Sequence, residues 1–150
     1  MLSAFLREIT VYANRRLEKM SGGRYILKVS GEVSGNNLSG LDLEIYDAYT
    51  GGTRPTASLS GGETFMVSIS LALGLADSIQ NRSGGIKLDS MFIDEGFGTL
   101  DEASLENAIA ILDEIRGSRM VGIISHVSEL KRRIPKKIEI EKTSKGSRIL

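Results

Sequence analysis

Three short stretches carry residue types that could handle a phosphate. The first is Leu59-Ser60-Gly61-Gly62-Glu63, just ahead of a long apolar run. If that run is helical, its first-turn N–H groups and the positive end of its dipole face an anion. Ser60 adds a hydroxyl donor, and Gly61 and Gly62 let backbone approach a ligand closely. A lone Ser-Gly-Gly is more often an ordinary cap and turn. The second stretch, Met91-Phe92-Ile93-Asp94-Glu95, ends an apolar run in two acids. Carboxylates at the carboxyl end of a buried strand sit where α/β sheets bind ligands. Successive strand residues point to opposite faces, so Asp94 and Glu95 cannot share one task unless the chain turns between them. One can hold Mg²⁺ and the other can orient or deprotonate an attacking water. The competing reading is a pair of loop acids. The third stretch is Ser125-His126, after another apolar run. A His at a strand end can donate to a phosphate, although a single His is more often structural.

Several elements must position these groups. Residues 2–20 place Leu2, Phe5, Leu6, Ile9, Tyr12, Ala13, Leu17 and Met20 on one helical stripe, closed by Ser21-Gly22-Gly23. That stripe suits either a core face or the tail of a coiled coil. Runs over 24–30 and 41–47 read as the strands of an antiparallel hairpin, joined through Gly31, Gly35, Asn36, Asn37 and Gly40. Residues 51–55, Gly-Gly-Thr-Arg-Pro, read as a loop. From Gly62 to Gln80 apolar residues surround the axis, which predicts a buried helix closed by 81–85. Met91-Phe92-Ile93 and 120–125 read as buried parallel strands. Between them Asp101 caps a helix with a stripe of Leu105, Ala108, Ile109, Leu112 and Ile115, ended by Gly117. The result is a βαβ unit. Residues 137–142 and 147–150 alternate again, consistent with a final hairpin around Lys145-Gly146.

Composition narrows the chemistry. The 150 residues allow one domain with a real core. With 19 basic and 19 acidic residues, any nucleic-acid contact must come from a local patch. Lys131, Arg132, Arg133, Lys136 and Lys137 form such a patch, but without interleaved aromatics a solvated face is the simpler reading. The absence of Cys excludes a thiol nucleophile, a disulfide framework and a thiolate metal site, and the single His excludes a His-cluster metal site. No apolar run reaches membrane-spanning length, and an early Arg7 and Glu8 argue against a signal peptide. The expectation is a soluble, cytoplasmic protein with no membrane partner.

Taken in order, the motifs resemble the C-terminal half of an ABC-type ATPase head. Residues 59–63 match the ABC signature and 91–95 the Walker B strand, Thr99-Leu100-Asp101 matches the D-loop, and His126 the switch His. The stretches 58–65, 92–102 and 121–130 are most similar to the SbcC-type branch of SMC-like, double-strand-break repair ATPases. Gly96, where transporters show Pro, and Glu63, where they show Gln, favour that branch.

The resemblance implies an α/β fold: the C-terminal lobe of an ABC/SMC-type P-loop ATPase head, with a parallel βαβ core, an N-terminal helix and hairpins. Residues 1–20 would end a returning coiled coil and 21–150 would form the lobe. It further implies that two heads sandwich ATP and Mg²⁺. Ser60, Gly61, Gly62 and Glu63 would contact nucleotide, with Asp101 at the dimer seam and Asp94 on the metal. Glu95 would act on the attacking water and His126 would sense the γ-phosphate. Implied partners are the N-terminal Walker A lobe, a second head as a homodimer, an SbcD-like nuclease subunit and double-stranded DNA. No Lys directly follows a Gly, so G-x-x-x-x-G-K-[ST] is absent, and the lobe that wraps the phosphates must be supplied separately. An exposed apolar or strand-edge surface is expected where that lobe belongs. Alternatives are an SMC-like chromosome-architecture ATPase, a transporter nucleotide-binding domain, and a packing module that binds no nucleotide.

Overall fold

The computed structural model describes residues 2–30, 42–82, 88–117, 119–144 and 146–150. The amphipathic stripe at the N-terminus becomes helix α1 (Leu2–Met20). Its buried side chains Ile9, Ala13, Leu17 and Met20 face the interior, so the stripe is a core face over this half of the helix. Strands β1 (Tyr25–Ser30), β2 (Asp42–Asp47) and β3 (Gly52–Pro55) form an antiparallel sheet in that order. The expected connection through Gly31, Gly35, Asn36, Asn37 and Gly40 lies outside the described residues, as do Leu41, Ser83 to Gly85 and Lys145. On β1, Asn14 of α1 satisfies both backbone groups of Leu27, accepting from its N–H at 2.8 Å and donating to its carbonyl at 2.9 Å.

Strand β3 corrects the loop expected at 51–55. Gly51 takes a left-handed φ of 69°, which turns the chain sharply enough for Gly52–Pro55 to pair with β2. Pro55 is tolerated because it sits at the end of an outer strand.

Helix α2 (Gly61–Arg82) packs along α1. The two approach so closely at Gly74 that a Cβ there would lie 2.7 Å from the Ile9 carbonyl oxygen and 2.8 Å from the Ala13 nitrogen. By length and composition α2 could cross a membrane, contrary to the expectation that no apolar run is long enough. Its inner face, including Met66, Val67, Ile69 and Leu73, is buried within this fold. Nor is it buried all round, since Ala72 and Leu75 are exposed.

Strands β4 (Ser90–Asp94) and β5 (Met120–Ile124) pair in parallel, and α3 (Glu102–Arg116) connects them. This is the expected βαβ unit. Asp101 caps α3 as expected, accepting from the Ser104 N–H at 2.8 Å. Met91, Ile93, Val121 and Ile123 pack toward the core. The opposite face is open, which corrects the expectation of fully buried strands: Phe92 is 70% exposed, Met120 61% and Ile124 55%. Parallel sheets ordinarily have both faces covered. A short helix, α4 (Ser128–Arg133), follows β5, and a hairpin of β6 (Ile140–Thr143) and β7 (Gly146–Ile149) closes the chain.

Gly74 gives a test of this packing. In an isolated helix Gly→Ala would stabilise by about 1 kcal/mol. Here the added methyl meets backbone, so Gly74→Ala should instead destabilise by about 1–3 kcal/mol in urea unfolding. A gain in stability would refute the close approach.

Candidate functional site

The site is assembled from the first turn of α2 and from the carboxyl ends of β4 and β5. Ser60 is the residue before α2 and is exposed. Its hydroxyl accepts from the Glu63 N–H at 3.4 Å, while the Glu63 carboxylate accepts from the Ser60 N–H at 2.8 Å. This reciprocal pair is a capping box. The N–H groups of Gly61 and Gly62 have no partner among the described residues, and they stand at the positive end of a 22-residue helix. The two glycines have different physical reasons. A Cβ on Gly61 would make ordinary contact with Thr99, 3.5 Å away, whereas one on Gly62 would collide with the Thr99 carbonyl oxygen at 2.6 Å. Gly62 therefore lets the helix seat on the Thr99-Leu100 loop, whereas Gly61 has room there for a side chain's first carbon.

Glu63 lies deeper than its neighbours, with its side chain 17% exposed. One carboxylate oxygen takes the Ser60 N–H; the other takes the Tyr25 hydroxyl from β1 and the Arg54 guanidinium from β3, at 3.0 Å for the latter. Burial alone would raise its pKa. The Tyr25 hydroxyl, the Ser60 N–H and Arg54 outweigh that and hold it down to about 2. Burial and the facing carboxylate push the Tyr25 phenol up. The Glu63 carboxylate thus has three protein donors and holds the turn at Ser60 in place.

At the tip of β4 the chain turns, as the twin acids require. Glu95 has a φ of 57° and Gly96 one of 95°. Positive φ in a non-glycine residue is uncommon and tends to mark functional positions. The Glu95 N–H still donates to the Ile124 carbonyl at 2.8 Å, so the backbone stays attached to β5 while its side chain swings round. Its carboxylate meets His126 Nδ1 at 3.0 Å. Asp94 remains in strand register opposite Ile124, exposed and without a hydrogen-bonding or ion-pair partner among the described residues. Glu95 and His126 are also solvent-accessible. Ser60, Gly62, Glu63, Thr99 and Asp101 line a cleft of ≈ 400 Å³ together with Arg24 and Tyr49, and Asp94, Glu95 and His126 lie outside that lining. Asp101 holds the start of α3, and the Ser104 N–H keeps its pKa below the ordinary value.

The sequence points to Ser60, Gly61, Gly62, Glu63, Asp94, Glu95, Asp101 and His126; Ser60, Gly62, Glu63 and Asp101 share the cleft, Gly61 adjoins it in the chain, and Asp94, Glu95 and His126 meet at the strand ends. Sequence reasoning missed Tyr25 and Arg54, whose role emerges only when β1 and β3 are folded against α2. No set of three or more potential metal ligands occurs among the described residues. A lone exposed carboxylate such as Asp94 nonetheless fits Mg²⁺, which is commonly held by one or two carboxylates with waters and substrate phosphates. In the basic stretch, Arg132 and Arg133 pair with Glu129, Arg133 also with Glu106, and Lys137 with Glu139.

A signature helix seated on the exit loop of a Walker B strand is the arrangement of an SMC-type ATPase head, and the fold agrees. A structure solved in work on ATP-driven dimerization and DNA-stimulated activation of SMC ATPases matches with a TM-score of 0.76 and 15% identity, over 97% of this chain and 83% of that one. The Smc head domain of Pyrococcus yayanosii matches with a TM-score of 0.72 and 17% identity, over 97% of this chain and 26% of that one. Such identities establish the fold alone. The family model for SbcC/RAD50-like proteins, Walker B motif, matches residues 39–114, just over half of the chain, and the chain belongs to that family. It is 68% identical, over 99% of its length, to the SbcC polypeptide of nuclease SbcCD from Treponema pallidum, and 51% identical, over 98%, to that of Vibrio cholerae. The chain spans 14% and 15% of those two proteins.

Glu63 carries a prediction for stability. Its folded pKa lies below the ordinary 4.5, so its stabilising contribution is present above about pH 4.5 and is lost as pH falls toward about 2. Glu63→Gln should cost about 2–3 kcal/mol near neutral pH. The difference from wild type should shrink through that acid window in denaturant titrations. A gap independent of pH would show that the carboxylate charge contributes nothing.

Proposed function

We propose that this chain provides the signature, Walker B, D-loop and switch-His half of an ATP-hydrolysing head in an SbcC-type nuclease subunit. The observation that carries this reading is the Glu95–His126 contact across the carboxyl ends of two parallel strands, beside an unpartnered Asp94. A Walker A lobe completes the cis site. The open face of β4 and β5, with Phe92, Met120 and Ile124, suits that lobe, because a parallel sheet gains from cover on both sides. This accords with the apolar surface expected for such a partner. Residues 2–20 are read as the end of the returning coiled coil. The name of the relatives, which places them in the nuclease SbcCD, supports a nuclease protein as partner. Double-stranded DNA as the target and a cytoplasmic site of action belong to the same reading and rest on the motif resemblance.

In the proposed mechanism, Asp94 would hold Mg²⁺, which neutralises phosphate charge when bound. Glu95 accepts a hydrogen bond from the attacking water, and His126 fixes the Glu95 carboxylate while its other ring nitrogen is left to face the γ-phosphate. In the opposed head, Ser60 with the free Gly61 and Gly62 N–H groups donates to the same γ-phosphate. Phosphoryl transfer is catalysed mainly by such positioning and charge stabilisation, so two incomplete halves make a site only when they meet.

Two experiments test this. In the protein with its Walker A lobe present, Glu95→Gln should slow ATP hydrolysis by about 100-fold or more and accumulate an ATP-bound dimer in gel filtration. Monomers only, in ATP and Mg²⁺, would overturn the reading. The 150-residue chain by itself should hydrolyse no ATP above background. Turnover by it that Glu95→Gln abolished would show that the Walker A lobe is dispensable.

A further inference from the structure

We infer that Tyr25 and Arg54 are positioning residues for Ser60, acting through the Glu63 carboxylate to set how a head grips nucleotide held by its partner head. The inference rests on the proposed role of Ser60. A capping box within one turn needs only one oxygen of its Glu. Here the second oxygen is taken as well, by donors from two strands distant in sequence. Ser60 is exposed and ends a segment of irregular backbone, so its direction must be imposed from beneath. The Ser60 N–H is held by Glu63, and Glu63 is held by Tyr25 and Arg54.

Arg54 grips the segment on both sides of Ser60. The same guanidinium that reaches Glu63 donates to the Ser58 carbonyl at 3.0 Å and the Ser58 hydroxyl at 3.1 Å. Tyr25 is 3% exposed, and the Arg24 guanidinium lies 4.7 Å from its ring centroid, so the hydroxyl is presented from a rigid base. That base is braced in turn, because Asn14 of α1 holds the backbone of Leu27 two residues along β1. The signature serine is therefore referenced to the β1–β3 sheet as well as to its own helix. Groups that position a reacting phosphate tolerate little misplacement: a shift of about 1 Å can cost on the order of 100-fold in rate.

The test uses the full-length protein and the variants Tyr25→Phe, Arg54→Gln, Arg54→Lys and Ser60→Arg. ATP-dependent head–head association, kcat and KM for ATP hydrolysis, ATP affinity of single heads and thermal stability are measured for each. Tyr25→Phe and Arg54→Gln should each weaken association and lower kcat by about tenfold, with ATP affinity of single heads within about twofold of wild type. Arg54→Lys should recover part of the loss, since it restores the charge but not the fork. A residue acting only on stability would lower the melting temperature and leave association and kcat intact. That result for Arg54→Gln, on the outer hairpin where refolding of the core is not at stake, would overturn the inference even if Tyr25→Phe fails to fold. Ser60→Arg separates the two levels. If it associates like wild type, the reading of Ser60 falls, and the positioning role with it. If it fails to associate while Tyr25→Phe and Arg54→Gln behave as wild type, the positioning role alone is wrong.

Discussion

The first turn of α2 rests directly on the loop that leaves β4, with no room at Gly62 for a side chain. Gly62 meets the Thr99 carbonyl, and one turn on, the Phe65 ring crosses Gly96, where a Cβ would lie 2.1 Å from the ring. Phe65 then packs edge-on against Phe97, with centroids 4.7 Å apart, and Phe97 is 1% exposed. An aromatic pair of this kind adds about 0.5–1.5 kcal/mol beyond its buried area. The Gly96 φ of 95° turns the loop back beneath that ring, and the Glu95 φ of 57° just before it carries the Glu95 side chain toward His126. One compact contact therefore fixes both the helix mouth that bears Ser60 and the strand tip that bears Glu95. In the proposed sandwich of two heads these tips serve different nucleotides.

The carboxylates divide into two kinds, and their surroundings explain the division. Glu63 and Asp47 are surrounded by donors: Glu63 by Tyr25, Arg54 and the Ser60 N–H, and Asp47 by Arg24 and the Tyr49 N–H. Their charge is used up in holding the fold. Asp94 and Glu95 are exposed, and the only side-chain partner of Glu95 among the described residues is His126. An acid that is to meet a cation or a water must keep its lone pairs uncommitted until the ligand arrives. The structure keeps those lone pairs open at the strand tip and closes them at the helix mouth, where the useful donors are N–H groups and a hydroxyl.

Elements with a clear period were legible from sequence. The stripe of α1, the capped stripe of α3 and the order strand, helix, strand all follow from spacing, and that order puts Asp94-Glu95 and His126 at neighbouring strand ends. Elements set by single backbone geometries were not. Gly51-Gly52-Thr53-Arg54-Pro55 has loop composition, yet the left-handed turn at Gly51 makes it a strand and brings Arg54 to Glu63. Helix α4 is six residues long, too short for a period to show, and only Leu130 among them is buried. The spacing Ser60-x-x-Glu63 carries the capping box, but the other two donors to Glu63 lie 38 and 9 residues away in the chain. Periodicity carries no information about such contacts.

The open face of the parallel pair is where local consistency ends. Along β4 and β5 the inward residues Met91, Ile93, Val121 and Ile123 obey the rule that apolar side chains seek the core. Phe92, Met120 and Ile124 point the other way, and the Phe92 ring lies over Gly122, where a Cβ would sit 2.5 Å from it. An apolar outer face behind an apolar inner one is a sequence written for burial on both sides. Covering a large apolar side chain is worth about 1.5–3 kcal/mol, so three of them give a partner several kcal/mol of driving force. Ile140 and Ile149, opposite each other on β6 and β7 and 70% and 72% exposed, extend the same requirement to the hairpin. The Treponema pallidum relative matches this chain over only 14% of its own length, so such a protein has ample chain to supply the cover. On the proposed reading, the apolar face and the need for a phosphate-wrapping loop have one physical cause. A single lobe answers both, docking by hydrophobic burial and in docking bringing the rest of the phosphate site to Asp94.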